Sequence, residues 1–131
     1  MRNERGISLV EILVALLILT IVITTTIVMF ADRQRRMKQA TELMRAYQVL
    51  GNEVEYWRRV PFNYGDTAGN QAFATETQLL EPMSPYTTNV KVVKTNDDVR
   101  EITFTISWES GKKVASLGIV RANTGGINPL W

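Results

Sequence analysis

The stretch from Ile7 to Phe30 reads ISLVEILVALLILTIVITTTIVMF, and it decides what kind of chain this is. Nearly every side chain in it is apolar, and neither proline nor glycine interrupts it. As an α-helix rising about 1.5 Å per residue, the run would be roughly 36 Å long, enough to cross a hydrocarbon core of about 30 Å. Ahead of it stands a short leader, Met1–Gly6, with Arg2 and Arg5 and no apolar run. A cleaved secretory signal has a shorter apolar core and an Ala-x-Ala type site behind it. This run is too long, and no such site follows. A plain transmembrane anchor fits the length and leaves one residue unexplained.

That residue is Glu11. A carboxylate this deep in an apolar stretch costs on the order of 2.5–3.5 kcal/mol on insertion scales, so it needs a partner. If the chain is cut after Gly6, Ile7 becomes a new N-terminus with a charged amine. Glu11 then lies four residues further on, on the same helical face, and in the first turn, where the helix dipole favours an anion. Amine and carboxylate can neutralise each other within one subunit or between neighbours packed side by side.

The run Arg5-Gly6-Ile7-Ser8-Leu9-Val10-Glu11, followed by an unbroken apolar helix, resembles the prepilin processing site of type IV pilin-like proteins. The resemblance implies that a prepilin peptidase cuts after Gly6, that Ile7 becomes the N-methylated terminus, and that Glu11 serves assembly. Ile7 departs from the family's favoured phenylalanine. Many relatives also carry a proline where this chain has Val28. Here Thr24-Thr25-Thr26 stands nearby, and threonine hydroxyls can bond back to helix carbonyls and bend the helix. The charge pattern opposes the family's orientation. Arg33, Arg35, Arg36 and Lys38 behind the apolar run outweigh Arg2 and Arg5 before it, and the positive-inside rule prefers the reverse. The resemblance, rather than charge, places the C-terminal part in the periplasm and the chain as a single-pass protein of the inner membrane, later of a surface filament.

From Arg33 to Val60 no proline occurs, and Met37, Ala40, Leu43, Tyr47, Leu50, Val54 and Trp57 recur three or four apart. This predicts an amphipathic continuation over 31–60, with Arg35, Lys38, Glu42, Arg45, Asn52, Glu53 and Arg59 on other faces. Two helices hinged near Ala31-Asp32 are the alternative. Gly51 weakens the helix by roughly 1 kcal/mol, and Pro61 favours a stop near Val60.

The remainder, 61–131, reads as a loop to about residue 85, with a short ordered piece around Phe73–Leu80, and then a sheet. Thr88–Lys94 and Val99–Glu109 alternate, the latter with Ile102, Phe104, Ile106 and Trp108 on one face. Ala115, Leu117 and Ile119 make a third run. The turns Asn96-Asp97-Asp98 and Ser110-Gly111-Lys112-Lys113 are short enough for hairpins. A three-stranded antiparallel meander covered by the helix stripe is an α+β domain, and a long helix on a small meander is also what the pilin resemblance implies.

Chemistry is sparse. The chain has no cysteine and no histidine, which removes disulfides, thiolate metal sites and the commonest general base. No catalytic, cofactor or metal site is expected. Some secretion-system relatives bind calcium in a C-terminal loop, but Asp97 and Asp98 alone fall short of six to eight oxygen ligands and read as turn formers. Lys112 and Lys113 read as a solvated hairpin tip, and a net charge of +2 argues against nucleic acid. Trp57 and Trp108 read as core. Trp131, after Gly125-Gly126-Ile127-Asn128-Pro129, is either a docking tail or frayed.

The missing disulfide, the missing proline and the small domain point to a minor pilin or pseudopilin. Ser8–Leu16 and Ile102–Arg121 are most similar to the pilus minor pilin V family and the type II secretion pseudopilin I family. The implied partners are the prepilin peptidase and other pilins through the N-terminal helix. A competence pilin for DNA uptake is a further alternative, and an unprocessed single-pass membrane protein is the plain one.

Overall fold

The computed structural model describes residues 8–65 and 70–123. The helix α1 runs Leu9–Arg59 without a break at Ala31-Asp32. The chain divides into two compact units, Met1–Ala40 and Thr41–Trp131.

Within the first unit α1 carries its side chains outward, and residues from Leu9 to Ala40 are exposed throughout. The threonines do not break it. Thr20 Oγ1 donates to the Leu16 carbonyl (2.7 Å), Thr24 to Thr20 (2.8 Å), Thr25 to Ile21 (3.0 Å) and Thr26 to Val22 (2.8 Å). Each hydroxyl is thus satisfied inside the helix itself, as an apolar surrounding demands.

In the second unit the rest of α1 lies on an antiparallel sheet of order β1-β2-β3-β4, formed by Asn70–Gln71, Tyr86–Asn96, Val99–Trp108 and Lys113–Ala122. The three expected strands are present: β2 and β4 extend beyond their predicted bounds, while β3 begins at Val99 as predicted and ends one residue short of Glu109. A fourth is added: β1 pairs Asn70 with Lys91 and Gln71 with Val90. Two polar residues give no alternation to read, and β1 exists because β2 offers it a free edge. The segment 61–85 is more ordered than its composition suggests. Short 3₁₀ helices span Phe62–Gly65 and Gln78–Met83, the second placed later than the piece expected around Phe73–Leu80. It inserts Leu80 and Met83 into the core.

The core joins Ala46, Val49, Leu50, Val54 and Trp57 of α1 to Val90, Ile102, Phe104, Ile106, Trp108 and Ala115 of the sheet. Full burial of a large apolar side chain here contributes about 1.5–3 kcal/mol. Rings meet edge to face, Trp57 on Phe104 at 6.1 Å and Phe73 on Phe104 at 6.4 Å. The strand alternation over Ile102–Trp108 holds residue for residue. Leu117 stays partly exposed on the edge strand β4.

The helix stripe is corrected. Leu50, Val54 and Trp57 are buried, whereas Met37, Leu43 and Tyr47 are exposed. Ala46 and Val49 take their place, and with them Glu42 and Glu53, which the charge pattern assigned to other faces. Both carboxylates are buried because donors from distant parts of the chain meet them. Glu53 accepts bonds from Trp57 Nε1 (2.9 Å), the backbone N–H of Ala74 (3.1 Å) and Thr75 (3.0 Å), and Thr75 Oγ1 (2.7 Å). Glu42 accepts from Trp108 Nε1 (3.2 Å) and Lys113 Nζ (2.9 Å). Buried polar groups persist only when so satisfied.

The end of α1 follows from Pro61 and from two arginines opposite each other on β3 and β4. Arg121 Nη2 donates to the Val60 carbonyl (2.9 Å) and Arg100 Nη1 to the Phe62 carbonyl (2.8 Å). The Arg100 guanidinium lies 4.2 Å from the Phe62 ring centroid. Carbonyls at a helix C-terminus and an aromatic face both favour cations, which offsets the repulsion of neighbouring like charges. Burial, and then Arg100, hold the Arg121 guanidinium below its usual range.

Candidate functional site at the helix N-terminus

The candidate site is the start of α1. The Ser8 carbonyl accepts the Glu11 N–H (2.9 Å) and the Ile12 N–H (3.2 Å), closing the first turn. Ser8 and Glu11 have the S-x-x-E spacing of a helix-starting capping box, a signal that sequence reasoning passed over. Glu11 therefore stands in the first turn, where it was expected. Its carboxylate is exposed, and among the described residues no hydrogen bond or ion pair reaches it. Gly6 and Ile7 lie outside the described residues, as does Trp131.

Glu11 heads a shallow apolar groove continued by Ile12, Ala15, Leu16 and Leu19. From Leu9 to Phe30 the large apolar side chains are half exposed or more. The helix contains a window of mean hydropathy 2.8 with none of it buried, and it is long and apolar enough to cross a membrane. A contiguous apolar surface of this size does not remain in water, and a lone carboxylate at its head is costly in lipid. The arrangement suits an apolar packing partner that also brings a cation to Glu11.

Residues 1–27 match the model of the prokaryotic N-terminal methylation motif. This chain carries a prokaryotic N-terminal methylation motif. The match is consistent with a type IV pilin-like protein, and the long helix over an antiparallel sheet is an α+β, pilin-like arrangement. The motif implies prepilin peptidase processing and pilin assembly, and the apolar helix fits membrane anchoring before it. No curated protein and no solved structure matches the chain significantly.

The other sequence candidates take ordinary places. Asp97 and Asp98 form a two-residue turn between β2 and β3. Asp97 pairs with Lys94 at 2.7 Å, which holds its carboxyl below the usual range, and Asp98 N–H donates to Asn96 Oδ1 (3.0 Å). Trp57 and Trp108 are buried, as expected. Lys112 is solvated, but Lys113 is not a free hairpin tip. It bridges Glu109 (2.6 Å) and Glu42 (2.9 Å), and those two carboxylates, Glu109 first, raise its pKa. Glu42, Glu53, Arg100 and Arg121 are the polar residues that hold the second unit together. The first two sit on the same helical face as Ala46 and Trp57, and that spacing was the available signal.

Proposed function

We propose that this chain is a structural minor pilin of a type IV pilus, without catalysis of its own. It is cut after Gly6, methylated at Ile7, held in the inner membrane by residues 7–30 with its sheet domain in the periplasm, and then drawn into a filament or its tip. The observation that supports this reading is the methylation motif over residues 1–27 joined to an exposed Glu11 in the first turn of an exposed apolar helix. In a bundle of such helices the apolar surface is covered as it was in lipid. Glu11 there meets the amine at Ile7 of its own or a neighbouring subunit.

Intact-mass analysis of membrane-extracted protein tests it. A chain beginning at Ile7 and heavier by one methyl group is the expected result. A mature chain that retains Met1 would overturn the proposal. A minor pseudopilin of type II secretion is the second reading, favoured equally by the absence of cysteine. Co-purification with pilus filaments sheared from cells, as against retention with a secretion machinery in the envelope, separates the two. A competence pilin is supported less, because of the two hairpin lysines Lys113 is held by Glu42 and Glu109, which leaves Lys112 alone in solvent.

A further inference from the structure

Directly behind the apolar run of α1 stand Arg33, Arg35, Arg36 and Lys38, all exposed, with Asp32 as the one acid among them. Arg36 Nε reaches Asp32 Oδ2 at 2.9 Å, but with the two side chains 78% and 58% exposed, that pair leaves most of the guanidinium in solvent. Advancing 100° per residue, the four cations point to about 0°, 200°, 300° and 140° round the axis. They form a collar, not a face. Along the axis they span about 7.5 Å, close to the depth of one headgroup layer, and they begin about 36 Å from Leu9, roughly one helical turn beyond the end of a span of about 30 Å.

We infer that this collar binds the anionic phospholipid headgroups of the membrane in which the helix waits. The shape of the charge decides between partners. A protein surface or a nucleic acid duplex approaches a helix from one side and would be read by cations on one side. Before assembly, while the helix waits in the membrane, it is the lipid surface that surrounds it completely. Basic clusters at the end of a span gain most from anionic lipid, and guanidinium groups take phosphate oxygens bidentately. The attraction also offsets the cost of carrying these cations to the outer side against the positive-inside preference. The inference rests on the reading of residues 7–30 as a membrane span.

The test reconstitutes the full-length mature protein in mixed phosphatidylcholine–phosphatidylglycerol vesicles containing a trace of spin-labelled lipid of one kind or the other. The fraction of label immobilised at the protein gives the selectivity. Labelled phosphatidylglycerol should be selected about five-fold over labelled phosphatidylcholine, and raising salt to about 1 M should reduce the preference towards parity. The variant R33Q/R35Q/R36Q/K38Q should insert equally well and show no preference. Equal immobilisation of the two lipids by the wild-type chain overturns the collar while leaving the span intact. Protein washed off both vesicle types by alkaline carbonate overturns the span itself. A duplex oligonucleotide that binds the same four side chains, with no lipid preference, assigns the collar to nucleic acid and also overturns the proposal.

Discussion

Two carboxylates on α1 illustrate opposite solutions to the same problem. Glu53 is fully buried and receives four donors, so its charge is matched inside the domain. Removing it strands the Trp57 indole N–H and the backbone of Ala74 and Thr75. Glu53→Ala is expected to cost about 3 kcal/mol, read as a lowered denaturation midpoint in detergent solution. Glu53→Gln, which keeps one acceptor oxygen, should lose less. Glu11 has no donor among the described residues, and under the proposed function its partner is the amine at Ile7 of its own or a neighbouring subunit. Glu11→Ala should leave cleavage after Gly6 intact yet lower incorporation into filaments about ten-fold, measured by immunoblot of sheared filaments against the membrane pool. Unchanged incorporation would remove Glu11 from assembly.

At the scale of elements, the β3–β4 hairpin shows how a turn aims a side chain. Lys112 N–H closes it onto the Glu109 carbonyl at 3.2 Å, with positive φ at Ser110 (57°) and Gly111 (82°). Glu109 is itself left-handed, with φ of 52°, and its carboxylate meets Lys113. No atom lies within 4 Å of a Cβ placed on Gly111. Gly111→Ala should therefore lose only the backbone term, about 1 kcal/mol, in urea titrations of the unfolding equilibrium. The same hairpin predicts a pH dependence. Glu109 and Glu42 raise the Lys113 pKa above its ordinary 10.5, so the ammonium is favoured in the folded state. Its stabilisation is complete below about pH 10.5 and is lost as pH rises through the folded value. Tyr56, whose hydroxyl bond to Tyr64 raises its own pKa, acts in the same alkaline direction. Comparing thermal unfolding of wild type and Lys113→Met from pH 8 to 12 isolates the lysine, and the variant should show the shallower alkaline decline.

At the scale of the whole molecule, the division at Ala40 and Thr41 separates two kinds of stability. The second unit has an ordinary core. Among the described residues the first has none, and its apolar side chains face outward from Leu9 to Phe30. Detergent removal should thus drive the full chain into large assemblies in sedimentation velocity, while micelles or vesicles keep it dispersed. A monomer stable in plain buffer would contradict the exposed surface.

Legibility followed the same division. The apolar run, the first-turn position of Glu11 and the alternation of Ile102, Phe104, Ile106 and Trp108 were all readable, since each depends on neighbours within a few residues. Hydropathy, length and helical spacing are properties of the chain itself, so the sequence alone determined a helix long and apolar enough to span a membrane, headed by a carboxylate. The tertiary structure alone decided which charges enter the core. Glu42 and Glu53 look like solvent-facing residues until Trp108, Lys113, Ala74 and Thr75 arrive from far along the chain to meet them. It likewise decided that Asn70–Gln71 is a strand and that Arg100 and Arg121 close the end of α1. Whether a buried charge is tolerated depends on donors brought by folding, and no local pattern records where those donors will be.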